Sequence, residues 1–140
     1  MRILWIERHP VRLLTNRPLF DVAGRHVLTP DLIDPVAGVV GEYDGAIHLD
    51  DRHRRIDLER DSLCRDLGLE VVTMMSSRHD DVSRFERRLD AAYRRQAGRP
   101  DLPRPWTLAQ PDWWVDTSTV ARRRSLDEDQ RRIWLRRLAG

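Results

Sequence analysis

Apolar positions along the chain switch between strand and helix spacing, with proline and glycine marking most of the breaks. Arg2 to Ile6 is a short apolar run, read as the end of a helix or as a short strand, and Pro10 stops whatever precedes it. From Pro18 to Asp34 the runs PLFDV and RHVLTPDLID flank a turn at Ala23-Gly24, which predicts a hairpin. Pro35 and Gly38 break the chain again. Val39-Val40-Gly41-Glu42-Tyr43-Asp44 then reads as a third strand, ended by Gly45. Between Asp50 and Leu67 the spacing becomes helical. Ile56, Leu63, Cys64 and Leu67 share a face, and Gly68 is a natural stop. Leu69 to Met75 is a strand rich in β-branched residues. Ser77 offers an N-cap to a helix with Val82, Phe85, Leu89 and Tyr93 on its apolar stripe. After Ala97 come Pro100, Pro103, Pro105 and Pro111, an arm with Trp106, Trp113 and Trp114 packed down or exposed. Ser125 with Glu128 has capping-box spacing for a last helix, Leu126 to Leu138.

Hairpin, strand, helix, strand, helix is an α/β order. The hairpin supplies antiparallel pairs, and the strand–helix–strand crossover supplies a parallel pair, so the sheet is expected to be mixed. Residues 1–98 are expected to form the α/β domain and residues 99–140 a Pro-, Trp- and Arg-rich C-terminal arm and helix.

Composition narrows the class. With 140 residues, 40% hydrophobic and 34% charged, the chain has the balance of one globular domain. No apolar run approaches the roughly 20 residues of a membrane helix. The opening MRILWIERHPVR is too charged for a secretory signal, so the expectation is a cytoplasmic protein without a membrane partner. One cysteine, Cys64, excludes an intrachain disulfide and a cysteine-rich zinc site. All 25 basic residues are arginine, so no step can use a lysine as base, nucleophile or phosphate clamp. The formal charge of +2 does not by itself announce a nucleic-acid partner.

The chemistry concentrates between Thr29 and His48. Residues two apart in a strand share a face, which sets Glu42 and Asp44 side by side about 6–7 Å apart. Like charges on an apolar strand repel and lose hydration, so they call for a cation or for arginines. Asp31, expected at the end of the preceding strand, can converge on the same point. Three carboxylates suit a hard cation such as Mg²⁺. His48 can reach the rim to take a proton from water or to bond a phosphate. The competing reading makes Glu42 and Asp44 solvated acids on an edge strand, with Asp31 and Asp34 as turn residues. It also makes His48 an ordinary loop histidine and Asp57 with Arg60 an i,i+3 surface pair.

The run TPDLIDPVAGVVGEYDGAIH followed by RIDLERDSLCRDLGLEVVTM resembles the endonuclease domain related to very-short-patch-repair enzymes, within the PD-(D/E)XK superfamily. The elements that carry the resemblance are Pro30-Asp31, Glu42-Tyr43-Asp44-Gly45, His48, Asp57-Leu58-Glu59-Arg60 and Gly68-Leu69, across roughly Asn16 to Ala97. The resemblance implies a restriction-endonuclease-like fold, a central mixed sheet flanked by helices. It implies Mg²⁺- or Mn²⁺-dependent hydrolysis of DNA, with Asp31 and Glu42 on the metal and Asp44 where the broader superfamily has a lysine. His48 would activate or position water or contact the phosphate, and Asp57 and Arg60 would support the site or orient the scissile phosphate. The chain starts at or after the place where the family's first helix carries a further acid, so a shortened N-terminus is part of the expectation.

Two functions are therefore expected to compete. One is a DNA endonuclease. The other is an inactive nuclease-fold module that binds nucleic acid or a partner protein in a toxin–antitoxin or defence setting. For either, Arg122, Arg123, Arg124, Arg131 and Arg132 are candidates to track phosphates, set against a solvated helix face beside Asp127, Glu128 and Asp129. Trp113-Trp114 could stack on unpaired bases, although core packing is the more ordinary role for such a pair.

Overall fold

The computed structural model describes residues 1–44, 62–75, 80–101, 103–117 and 119–138. These residues form a mixed α/β structure with two sheets and five helices, and the chain divides into two compact units, Met1–Leu108 and Ala109–Gly140. No helix among the described residues is long and apolar enough to cross a membrane.

The first unit opens with α1 (Arg2–Arg8), so the opening apolar run is a helix rather than a short strand. Its one buried side chain is Trp5, and the helix ends ahead of Pro10. A two-residue strand, β1 (Leu14–Thr15), follows. Next come β2 (Leu19–Asp21) and β3 (His26–Leu28), the expected hairpin. Its turn is held by the Asp21 carboxylate, which accepts from the Ala23 and Arg25 amides at 2.9 Å each.

The expected second arm of that hairpin, Arg25 to Asp34, is not one strand. It divides into β3 and β4 (Leu32–Asp34), which belong to different sheets. Pro30 lies at the division, where a residue without an N–H cannot donate to a ladder. Asp31 consequently stands just before β4 instead of at a strand's end.

β5 (Val39–Asp44) pairs antiparallel with β4 and parallel with β6 (Glu70–Met75). The four-stranded sheet runs β1-β4-β5-β6. Between β5 and β6 a helix, α2, is described over residues 62–66. Its end is the expected one. Gly68 takes φ +68, its amide donates to the Arg65 carbonyl at 3.0 Å, and the Leu69 amide donates to the Cys64 carbonyl at 2.8 Å. Those two bonds are a Schellman cap, which needs the left-handed backbone glycine allows. α3 (Asp80–Ala97) then packs Phe85, Leu89 and Ala92 inward. The Ser77 cap expected for it lies outside the described residues.

The expected Pro-rich arm begins with structure. β7 (Trp106–Thr107) pairs antiparallel with β2 and completes a second sheet, β3-β2-β7. Two cores result, one on each face of the four-stranded sheet. Trp5, Leu32, Val39, Val72, Phe85 and Leu89 fill the side of α1 and α3, and Leu19, Leu28, Ile33, Val40, Cys64 and Leu67 fill the side of α2 and the second sheet.

In the second unit, α4 (Val120–Arg124) is capped by the Thr119 side chain, which accepts from the Arg122 amide. α5 (Glu128–Leu138) is capped by Asp127, not by Ser125. The Asp127 carboxylate accepts from the Gln130 amide at 2.8 Å, and the Gln130 side chain accepts from the Asp127 amide at 3.1 Å. This is a reciprocal capping box set two residues later than expected. Ser125 instead closes α4, its hydroxyl donating to the Arg122 carbonyl at 3.0 Å.

Candidate functional site

The register of the main sheet brings two of the expected acids together. Leu32 stands opposite Gly41 in the β4–β5 ladder. Asp31, just ahead of β4, reaches the same end of β5, where its carboxylate meets the amide of Tyr43, the residue after Glu42. On the other side of β5, Glu42 stands beside Thr73 of β6. Glu42 and Thr73 therefore stand side by side near the end of the sheet that Asp31 adjoins. Val40, two residues before Glu42 in β5, belongs to the core on the α2 side, so Glu42 lies on that face.

Asp31 is held at two points. Its carbonyl accepts from the Asn16 amide at 3.1 Å, and its carboxylate Oδ2 accepts from the Tyr43 amide at 2.8 Å. The side chain thus prolongs the β4–β5 ladder by one bond where Pro30 interrupts the strand. A carboxylate has about four lone-pair directions, so this bond orients Asp31 and leaves acceptor capacity free. Asp31 and Glu42 are both half-buried, while Tyr43 is exposed.

Asp44 closes β5, its backbone level with Met75 of β6. His48, Asp57 and Arg60 lie outside the described residues. Among the described residues no group of three His, Cys, Asp or Glu side chains is placed to hold a metal ion. The donor chemistry of the Asp31–Glu42 pair fits a hard cation, because both groups offer only carboxylate oxygen.

Asp34, a turn residue in the competing reading, has that role in full. It is 3% exposed, accepts from the Val36 and Ala37 amides at 2.9 and 3.1 Å, and accepts from the Tyr93 hydroxyl at 2.8 Å. Burial, aided by the Asp34 charge, holds the Tyr93 phenol protonated well above its ordinary range. Tyr93 in turn accepts from the Trp5 indole at 3.0 Å. This acid is spent on the fold.

The arginines expected to follow phosphates are partly engaged within their own unit. Arg122 pairs with Asp116, Arg123 donates to the Thr117 carbonyl at 2.9 Å, and Arg132 pairs with Asp129 at 3.1 Å. Arg124 and Arg131 are exposed. Exposed pairs of this kind exchange readily, so they do not bar these arginines from a ligand. Trp113 and Trp114 contact each other edge to face, with centroids 5.8 Å apart.

Sequence reasoning missed the Tyr43 amide as the group that orients Asp31. A backbone donor leaves no residue signature, and only the ladder register reveals it. It also missed Thr73, whose place beside Glu42 depends on the parallel pairing. No family model, curated protein or solved structure matches this chain.

Proposed function

We propose that the chain is a divalent-metal-dependent endonuclease that hydrolyses DNA phosphodiester bonds in the cytoplasm, with Mg²⁺ or Mn²⁺ held by Asp31, Glu42 and Asp44. The observation that carries this reading is the Asp31 carboxylate bonded to the Tyr43 amide, the residue after Glu42, which puts two half-buried acids at the same end of the β4–β5 pair. Two carboxylates there offer the all-oxygen donors that a hard divalent cation takes. The mixed sheet with helices on either side supports the same reading, since that is the architecture the resemblance to the short-patch-repair-like endonucleases implies.

When bound, the ion supplies Lewis acidity and neutralises charge that develops on the phosphate. The chain's own residues do the rest. Asp31, Glu42 and Asp44 would hold the ion. The Tyr43 amide fixes the Asp31 carboxylate at the end of the β4–β5 ladder. His48 orients the attacking water, takes its proton or contacts the phosphate, and Asp57 and Arg60 orient the scissile phosphate.

Nicking of supercoiled plasmid in Mg²⁺ or Mn²⁺ tests the proposal. The wild type should nick, and Asp31→Asn or Glu42→Gln should slow nicking by about 100-fold or more. Asp31→Asn keeps an acceptor for the Tyr43 amide, so its loss reads charge rather than fold. A wild type that binds plasmid but leaves it uncut with either ion would overturn the hydrolase and favour the inactive binding module.

A further inference from the structure

We infer that the outer stripe of α3, centred on Arg84, Arg87 and Arg88, is a contact surface for the sugar–phosphate backbone of a nucleic acid. The inference rests on the DNA partner of the proposed function but on none of its carboxylates.

Residues 84, 87, 88, 91 and 94 follow helical spacing i, i+3, i+4, i+7 and i+10, so they share one stripe. They are Arg, Arg, Arg, Ala and Arg. All four arginines are exposed, and the stripe runs about 15 Å at 1.5 Å per residue. The first three and Ala91 line a shallow trough of about 300 Å³.

Arginine outnumbers acid along this stripe, with four guanidiniums against the two aspartates of the first turn, Asp80 and Asp81. Among the described residues no acid pairs with Arg84, Arg87, Arg88 or Arg94. Arg88 donates to the Arg84 carbonyl at 3.4 Å. Two arginines beside the stripe are paired. Arg95 meets Glu70 at 2.8 Å, and Arg8 on α1 meets Asp90. Of the acids of α3, Glu86 and Asp90 lie toward Arg8, away from the stripe, while Asp80 and Asp81 stand in its first turn, four and three residues before Arg84. Like charges at i,i+3 and i,i+4 oppose helix formation, so this row is a feature the fold bears rather than one it uses.

The chemistry of the stripe selects the partner. Guanidinium forks match phosphate oxygens bidentately, and repeated arginines suit a repeating anion. α3 contributes none of the large exposed apolar side chains of the described residues. A protein interface draws on apolar anchors, and a membrane-surface helix inserts an apolar face; the apolar face of α3 is already in the core. Ala91 leaves the middle of the row low, so a backbone can approach between the guanidiniums.

Fluorescence anisotropy with a labelled DNA duplex, in EDTA and across 50–200 mM salt, tests this. EDTA removes metal, so the result does not depend on the carboxylates, and a separate metal titration reads those. The wild type should bind with a steep salt dependence. R84A/R87A/R88A should weaken binding at least tenfold at the lower salt and reduce the log–log slope by about 2–3, at roughly 0.9 for each phosphate no longer neutralised. Alanine favours helix, so melting followed by circular dichroism should not change. R84K/R87K/R88K should keep most of the slope. An unchanged slope in the alanine variant, collapse of the slope in the lysine variant, or wild-type binding to polyglutamate or anionic vesicles in place of DNA would each overturn the inference.

Discussion

Asp31 and Asp34 are three residues apart, carry the same side chain, and do different work. Asp34 is enclosed and has three donors, two from its own turn and one from Tyr93. Asp31 is half-buried, with one oxygen on the amide of Tyr43, the residue after Glu42. The sequence pointed to Glu42 and Asp44 as charges on an apolar strand, and to Asp31 as an acid able to converge on them from the preceding strand. It left Asp34 as a mere turn residue because Tyr93, 59 positions later, cannot be anticipated from local pattern. Gly41 shows the same limit. A Cβ there would stand 2.5 Å from the Trp5 ring, so the indole of α1 lies directly on the β5 backbone. Gly41→Ala should therefore destabilise the protein by about 1–3 kcal/mol, read by urea denaturation, because the ring and the strand must separate. Wild-type stability in that variant would mean that α1 does not rest on β5.

At the scale of elements, periodic segments were legible and brief ones were not. β5, β6 and α3 each span several repeats of their pattern, and Gly68 marks a helix end that only a left-handed residue makes easily. β1 and β7 have two residues each, too few for any period, and exist because β4 and β2 have free edges to pair. The last helix was legible, but its start was not. Ser125-x-x-Glu128 and Asp127-x-x-Gln130 have the same capping form, and Ser125 is already used by the end of α4. Asp127→Ala should cost about 1 kcal/mol of helix stability and lower the helical circular dichroism signal more than Ser125→Ala does. The reverse order would restore the earlier boundary.

At the scale of the first unit, one polar cluster joins α1, α3 and the β4–β5 turn. Trp5 donates to Tyr93, Tyr93 donates to Asp34, and the His9 ring stacks on Tyr93 at 4.0 Å. Beside it Asp90 accepts from Arg8 at 3.0 Å and lies 2.9 Å from His9. Tyr93→Phe should cost about 1–3 kcal/mol, because it takes a donor from a buried carboxylate and an acceptor from the Trp5 indole. The Arg8 guanidinium and then the His9 ring hold the Asp90 carboxyl down to about 2 against an ordinary 3.8. A depressed carboxyl contributes stability above its ordinary value and loses it as pH falls toward the folded one. Stability measured by denaturation should thus decline between about pH 4 and pH 2, and Asp90→Asn should flatten that decline. None of this cluster was legible, since its members come from opposite ends of the first unit and meet only once the chain has folded. The same long-range pairing puts Asp31 at the end of the β4–β5 pair that carries Glu42, and the proposed chemistry depends on those two acids. Titration calorimetry of Mn²⁺ into the wild type and into Asp31→Asn/Glu42→Gln, with both folded by circular dichroism, tests it most directly. Saturable binding of one ion by the wild type and none by the double variant is the predicted result; no heat from the wild type, or equal binding by both, would contradict the account.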